Sequence, residues 1–176
     1  VAKEEAPILR SLMHALGKPR RAATFEAKRS AQFLRACAAQ LSHLNSEVLP
    51  LDAMANGAGR FGFTTRVPFG VVAAITPFNA PANLLVQKVG PALAVGNAVV
   101  VKPSPPGIEV ALIVAAAFKA AGVPDGLFNV VPGGRETALT LVAHPQVAAV
   151  TWTGSTAAGQ DLARAAGAKR VLAELG

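Results

Sequence analysis

The sequence predicts an α/β fold built on an open parallel sheet with flanking helices, preceded by N-terminal helices and a short arm. Three observations predict it. Short β-branched runs start near Val71, Ala98, Phe128, Ala148 and Arg170, with helical stretches between them, which is the pattern of βαβ units. The runs lack polar alternation, as at residues 71–75 and 98–101, and so suit strands covered on both faces. Each run ends in polar, glycine-rich or charged residues, against an apolar background.

The elements follow in order. Residues 4–50 are rich in alanine and charge and almost free of β-branched residues. A helix from about Glu4 to Leu16 is closed by Gly17, with Pro19 just beyond. Phe25, Arg29, Phe33, Cys37 and Leu41 recur near helical spacing, so one long helix is predicted from about Arg21 to about Leu44. Asn56, Gly57, Gly59 and Gly62 then punctuate a turn-rich stretch. Phe61, Phe63, Thr64, Thr65 and Val67 suggest an extended segment, an edge strand or hairpin arm. From Gly70 the rhythm of strand and helix sets in, with helices at about 81–95, 106–121, 135–143 and 155–166. Ser104 is placed to cap the second of these, Pro105 takes a first-turn position and Gly122 closes it.

Composition narrows the function. A chain of 176 residues with 52% apolar and 15% charged side chains can bury a sizeable core and is not disordered. The longest purely apolar stretch runs from Val110 to Phe118, well short of the ~18 residues of a membrane span. No basic-then-apolar leader opens the chain, so a cytoplasmic protein is expected. One cysteine excludes an internal disulfide and a cysteine-cluster zinc site, and none of the three histidines has HExxH spacing, so no metal is expected. The net charge is +7, concentrated in residues 1–66, but there is no dense basic stripe interleaved with aromatics. Nucleic acid is therefore not an expected partner.

In open parallel sheets, ligands bind at the carboxyl ends of the strands. The residues to read there are Thr76, Pro77, Phe78 and Asn79, then Lys102 and Ser104, then Gly133, then residues 153–156, and last Glu174 and Leu175. Gly154 and Ser155 open a helix, where free N–H groups and the dipole favour a phosphate; taken alone, an ordinary Ser/Thr cap is the commoner explanation. There is no GxGxxG after the first strand. Lys102 ends an apolar strand and must reach solvent or a ligand; a snorkelling lysine and a ribose or phosphate contact both fit. Asn79 is either a helix cap before Pro81 or an amide donor aimed at a developing oxyanion. Glu174 is either paired with Lys169 or Arg170 or a general base whose pKa a semi-apolar site raises. Cys37, on a helix without a local base, reads as a structural thiol.

At these residues the chain resembles the aldehyde dehydrogenase superfamily. The resemblance rests on residues 75–81 (ITPFNAP), 102–104 (KPS), 126–133 (GLFNVVPG), 152–156 (WTGST) and 174–176 (ELG), in that order and at family-like spacing. It implies NAD(P)-linked oxidation of an aldehyde, a small-molecule substrate, to a carboxylic acid, on a Rossmann-like cofactor domain. In that family a cysteine thiolate attacks the aldehyde, hydride passes to the nicotinamide and water hydrolyses the thioester. The resemblance makes Asn79 the oxyanion-stabilising residue and Glu174 the general base. It places Thr76, Pro77, Phe78, Lys102, Ser104, Gly133, Gly154, Ser155 and Leu175 on the cofactor, NADP or NAD. It divides the chain into N-terminal helices of the cofactor domain (1–55), an oligomerisation arm (56–69) and the Rossmann-like domain (70–176), and implies a homodimeric or homotetrameric parent.

The sequence also departs from that pattern. The family's nucleophile lies a few dozen residues beyond the ELG motif, and Cys37 does not match it. The expectation is an enzyme fragment, inactive alone, with the cysteine-bearing domain absent. A free-standing module that binds a nucleotide or pairs with another subunit is the alternative. Pro105 stands where many members carry a carboxylate for the adenosine ribose, and Trp152 replaces the usual Phe.

Overall fold

The computed structural model describes residues 5–176. The predicted helix start at Glu4 lies outside them. Two helices come first, α1 (Glu5–Leu16) and α2 (Arg20–Gln40). A two-stranded antiparallel ribbon follows, β1 (Val48–Leu49) and β2 (Gly62–Phe63), with Val48 opposite Phe63. Then strand and helix alternate: β3 (Val71–Thr76), α3 (Pro81–Ala94), β4 (Ala98–Pro103), α4 (Ile108–Ala120), β5 (Phe128–Val130), α5 (Arg135–Ala143), β6 (Val147–Gly154), α6 (Thr156–Ala166) and β7 (Arg170–Leu175).

Strands β3 to β7 form a parallel sheet in the order β5-β4-β3-β6-β7. The chain winds outwards from β3 to β5, then returns to the other side of β3 with β6 and β7. Val71 of β3 accordingly faces Ala98 on one side and Val147 on the other. The order reverses between β3 and β6, and crevices for ligands open at such switch points.

Both faces are covered over β3, β4 and β6, which explains why these strands are apolar without alternation, whereas the edge strand β7 stays largely exposed, with Leu172 67% exposed. On one face Val72, Ala74, Val99, Val101 and Ala149 pack against α1 to α4. On the other Ala73, Ile75 and Val150 pack against α5 and α6. Val99 and Val101 are fully buried, and each such side chain contributes about 1.5–3 kcal/mol.

The N-terminal helices differ from expectation in detail. The stripe Phe25, Arg29, Phe33, Cys37, Leu41 is not the buried face of α2. Phe25 is 63% exposed, with the Arg29 guanidinium 5.8 Å from its ring centre. The buried face is instead Ala23, Glu26, Ala27, Ser30 and Ala31. Small residues let α2 approach α3 closely, while Phe33 packs against the edge of the core and Phe25 and Leu41 stay exposed. At that contact Gly90 lies against Leu34 and the Cys37 thiol, where a Cβ would come within about 3.1 Å of the sulfur. The helix ends at Gln40 and a 3-10 turn covers Leu41–His43.

The N-terminus of α3 has an unusual cap. Ala80 precedes the helix with no side-chain cap, and Pro81 has no N–H. The next two N–H groups, of Ala82 and Asn83, both donate to Glu26 Oε1 on α2, at 2.8 and 3.2 Å. Lys18 pairs with the other carboxylate oxygen. A buried carboxylate from a neighbouring helix thus satisfies the orphan donors of α3.

Candidate functional site

The sequence-derived candidates converge on the carboxyl edge of the sheet, and the period of two distributes them over its faces. Ile75, Lys102 and Trp152 stand side by side in register on β3, β4 and β6. Their side chains face α5 and α6 and line a cavity of about 170 Å³ there. Thr153 and Glu174 are register neighbours on β6 and β7. They face the other way, towards α3.

On the α5/α6 face, Lys102 is 7% exposed and its Nζ donates to the Gly133 carbonyl at 3.2 Å. Burial pushes its pKa down. Gly133 has φ +152°, and a Cβ there would overlap the Thr137 side chain, so the turn before α5 requires glycine. Gly154 serves Trp152, since a Cβ on it would overlap the indole ring. Gly159 in turn makes room for Leu175. Ser155 caps α6, its Oγ accepting the Ala158 N–H at 3.4 Å. Phe78 and Asn79 lie exposed in the turn between β3 and α3, and the cap position before Pro81 belongs to Ala80, not Asn79.

Ser104 does not cap a helix as expected. A 3-10 turn, Pro105–Gly107, separates it from α4, and its Oγ makes no hydrogen bond. Its N–H donates to the Thr76 carbonyl at 3.0 Å, which holds the ends of β3 and β4 together.

On the α3 face, Glu174 pairs with neither Lys169 nor Arg170. It accepts a hydrogen bond from the Thr153 hydroxyl and an ion pair from Lys88 Nζ at 3.2 Å. Lys88 also lies 3.4 Å from Thr151 Oγ1. Its side chain is 4% exposed, whereas that of Glu174 is 55% exposed. The Thr153 hydrogen bond, then the Lys88 charge, hold the Glu174 carboxyl below the usual carboxylate range against the opposing effect of burial. This reverses the expected raised pKa: an exposed carboxylate with two donors is stabilised in its charged form. Burial lowers the Lys88 pKa and Glu174 opposes that shift. Sequence reasoning missed Lys88, although it is the lone charge on α3.

Four buried side-chain polar atoms among the described residues lack a hydrogen-bond partner. Three of them, Thr76 Oγ1, Ser104 Oγ and Trp152 Nε1, belong to the ends of β3, β4 and β6. The fourth, Asn83 Oδ1, is in the first turn of α3. Such atoms are costly unless something completes them. The first three lie on neighbouring strands at the switch point but not on one face: Thr76 shares the side of Ala74, and Trp152 that of Ile75 and Lys102.

Cys37 lies apart from this edge, half-buried beside an apolar groove lined also by Phe33, Leu41, Leu44, Pro91 and Val95. Burial pushes its thiol pKa up, which suits a packing residue and not a nucleophile. No helix among the described residues is long and apolar enough to cross a membrane.

Comparison with known proteins adds to this geometry. The family model described as "Aldehyde dehydrogenase family" matches residues 1–176. Aspartate-semialdehyde dehydrogenase 1 of Pseudomonas canavaninivorans is 36% identical over 176 residues, which is 100% of this chain and 37% of that protein. 3-Sulfolactaldehyde dehydrogenase of Priestia megaterium is 40% identical over 162 residues, 92% of this chain and 34% of that protein. The chain thus spans about a third of the length of these relatives. Among solved structures, NADP-dependent glyceraldehyde-3-phosphate dehydrogenase from Bacillus halodurans, complexed with NADP, superposes with a TM-score of 0.95 at 36% identity, covering 99% of this chain and 37% of that one. NAD-dependent benzaldehyde dehydrogenase from Corynebacterium glutamicum gives 0.90 at 32% identity, covering 99% and 38%.

Proposed function

Since the chain belongs to the aldehyde dehydrogenase family, we propose that its carboxyl-edge crevice holds the NAD(P) of an enzyme that oxidises an aldehyde to a carboxylic acid. The observation that carries this reading is Lys102, buried at the end of β4 with only the Gly133 carbonyl as partner, at the switch point of a parallel sheet whose strand ends also leave Thr76, Ser104 and Trp152 atoms unpartnered. Bound there, the nicotinamide would supply the hydride acceptor. Lys102 and Ser104 would hold ribose and phosphate oxygens. Gly133, Gly154 and Ser155 bring backbone close to the ligand, the last two at the N-terminus of α6. Thr76, Pro77, Phe78 and Leu175 line the rest.

Asn79, exposed beyond β3, would donate its amide hydrogen to the oxyanion that forms when a thiolate adds to the aldehyde carbonyl. Glu174 would accept a proton from the water that hydrolyses the thioester. Thr153 and Lys88 keep that carboxylate ionised and aimed, at the expense of basicity. Cys37, packed against Gly90, is not suited to be the nucleophile. We therefore assign that role to a residue outside these 176 and expect them alone to turn over no aldehyde. In the arm, Phe61 is 75% exposed, and Phe63, Val67 and Phe69 are exposed with it. Such a patch suits pairing with another subunit of a homodimer or homotetramer.

The test uses Trp152, the single tryptophan, as a reporter in the cavity wall. Titration with NAD or NADP should change its emission saturably, with no reduction of cofactor on adding aldehydes. A folded chain whose emission ignores both cofactors at millimolar concentration would defeat the cofactor reading. Aldehyde-dependent reduction abolished by Cys37→Ser would move the nucleophile to Cys37.

A further inference from the structure

The sequence at the start of α3 supplies no cap at the cap position itself. Ala80 stands there, Pro81 has no N–H, and the first bond within the helix runs from the Leu84 N–H to the Ala80 carbonyl at 2.9 Å. The nearest upstream residue of capping type is Asn79. Its side-chain oxygen would ordinarily be drawn onto the free N–H groups of the first turn. Here those groups are taken: Glu26 Oε1 accepts both, from Ala82 and Asn83, and Asn79 stays exposed. Two features suit Glu26 to this task. Its side chain is 4% exposed, so packing holds the carboxylate in place. Lys18 pairs with its other oxygen, so no uncompensated negative charge stands beside the turn.

We propose that Glu26 is a positioning residue for Asn79: by capping α3 in its stead, it leaves the Asn79 amide free and fastens the turn that carries it. The inference rests on the oxyanion role of Asn79 given above and adds a residue of α2 to that machinery. The other end of the turn is tied at β3, where the Thr76 carbonyl accepts the Ser104 N–H at 3.0 Å. With both ends held, the amide is organised in advance for a charge that develops only during the reaction. Without Glu26, the Asn79 side chain is free to fold back onto the Ala82 and Asn83 N–H groups, away from the substrate.

The test is a double-mutant cycle in the full-length enzyme of which the reading above makes this chain a part. Hydride transfer is read as the first turnover of reduced cofactor at saturating aldehyde. Asn79→Ala should slow that step about a hundredfold, as loss of an oxyanion donor does. Glu26→Ala should slow it about tenfold and change the KM for cofactor by less than about twofold. Glu26→Gln keeps an oxygen for the two N–H groups and should slow it by no more than about threefold. Added to Asn79→Ala, Glu26→Ala should cost less than about twofold more, because no amide is left to position. Thermal melts set an assay temperature at which every variant is folded. Where Glu26→Ala does not fold, Glu26→Asp, whose shorter side chain stops short of α3, takes its place in the cycle. An equal fall in both backgrounds, or no fall where Asn79 is intact, would overturn the positioning role and leave the reading of Asn79 standing. An Asn79→Ala enzyme as fast as the wild type would overturn both.

Discussion

Removing the Glu26 carboxylate should unfasten the start of α3. In the structure one oxygen of Glu26 accepts the N–H groups of Ala82 and Asn83, and the other pairs with Lys18. Glu26→Ala leaves two N–H groups orphaned, one of them buried, and a lysine without its partner. An unsatisfied buried donor costs about 1–3 kcal/mol, and breaking a buried charge pair about 3–5 kcal/mol. These effects overlap, so the loss should be about 4 kcal/mol. For a chain of this size that is a fall in Tm of about 8–16 °C. Glu26→Gln keeps an oxygen for the two N–H groups and loses the charge, so its loss should be about half as large. Thermal and urea unfolding give the magnitudes. Amide exchange at Ala82 and Asn83 locates the effect, and because the Asn79 turn leads into this helix, it should loosen too. A Glu26→Ala protein melting within about 2 °C of the wild type would refute the reasoning, since the cap would then carry no weight.

Two further outcomes follow from the strand ends. Glu174, titrated by NMR, should have its midpoint below the ordinary carboxylate range, and Thr153→Val and Lys88→Met should each raise it. Because the folded-state value is depressed, the linked stability is present above the ordinary value and lost as pH falls through the folded one; a midpoint at or above the ordinary value would break this account. Pro105→Glu should lower the NADP-to-NAD affinity ratio of the chain about five- to thirtyfold, by placing a carboxylate near the ribose phosphate. An unchanged ratio would mean that the ribose is read elsewhere.

The parts of the fold legible in the sequence are those with a local cause. Five apolar runs and the caps between them locate the parallel sheet because βα units are made from neighbouring residues. The buried face of α2 was not legible. A stripe of Phe, Arg and Cys at helical spacing outweighs alanines on paper, yet close approach to α3 selects the alanines. Strand β1 has two residues and exists only through its pairing with Phe63 and Gly62. The candidate site divides in the same way. Lys102, Gly133 and Ser155 follow from their places at strand ends and helix starts. The contacts of Glu174 with Lys88, and of Glu26 with α3, join residues far apart in the chain. Lys88 left a signal, as a single charge in an apolar helix, and Glu26 a fainter one, as the lone carboxylate among the basic residues of α2.

The order of the sheet bears on how the molecule assembles. Every strand pair but one joins neighbours in the chain, such as Val71 with Ala98 and Ala149 with Arg170. The exception is the central seam, where Val71 meets Val147. Closing that seam spans more than twice the length of chain, at an entropic cost of about 0.6 kcal/mol per doubling and with a slower search. The seam is also the floor of the crevice, with Thr76 on one side and Trp152 on the other. A molecule bridging the two strands would act as a clasp on the longest-range join of the fold, so filling the crevice stabilises the completed sheet by mass action.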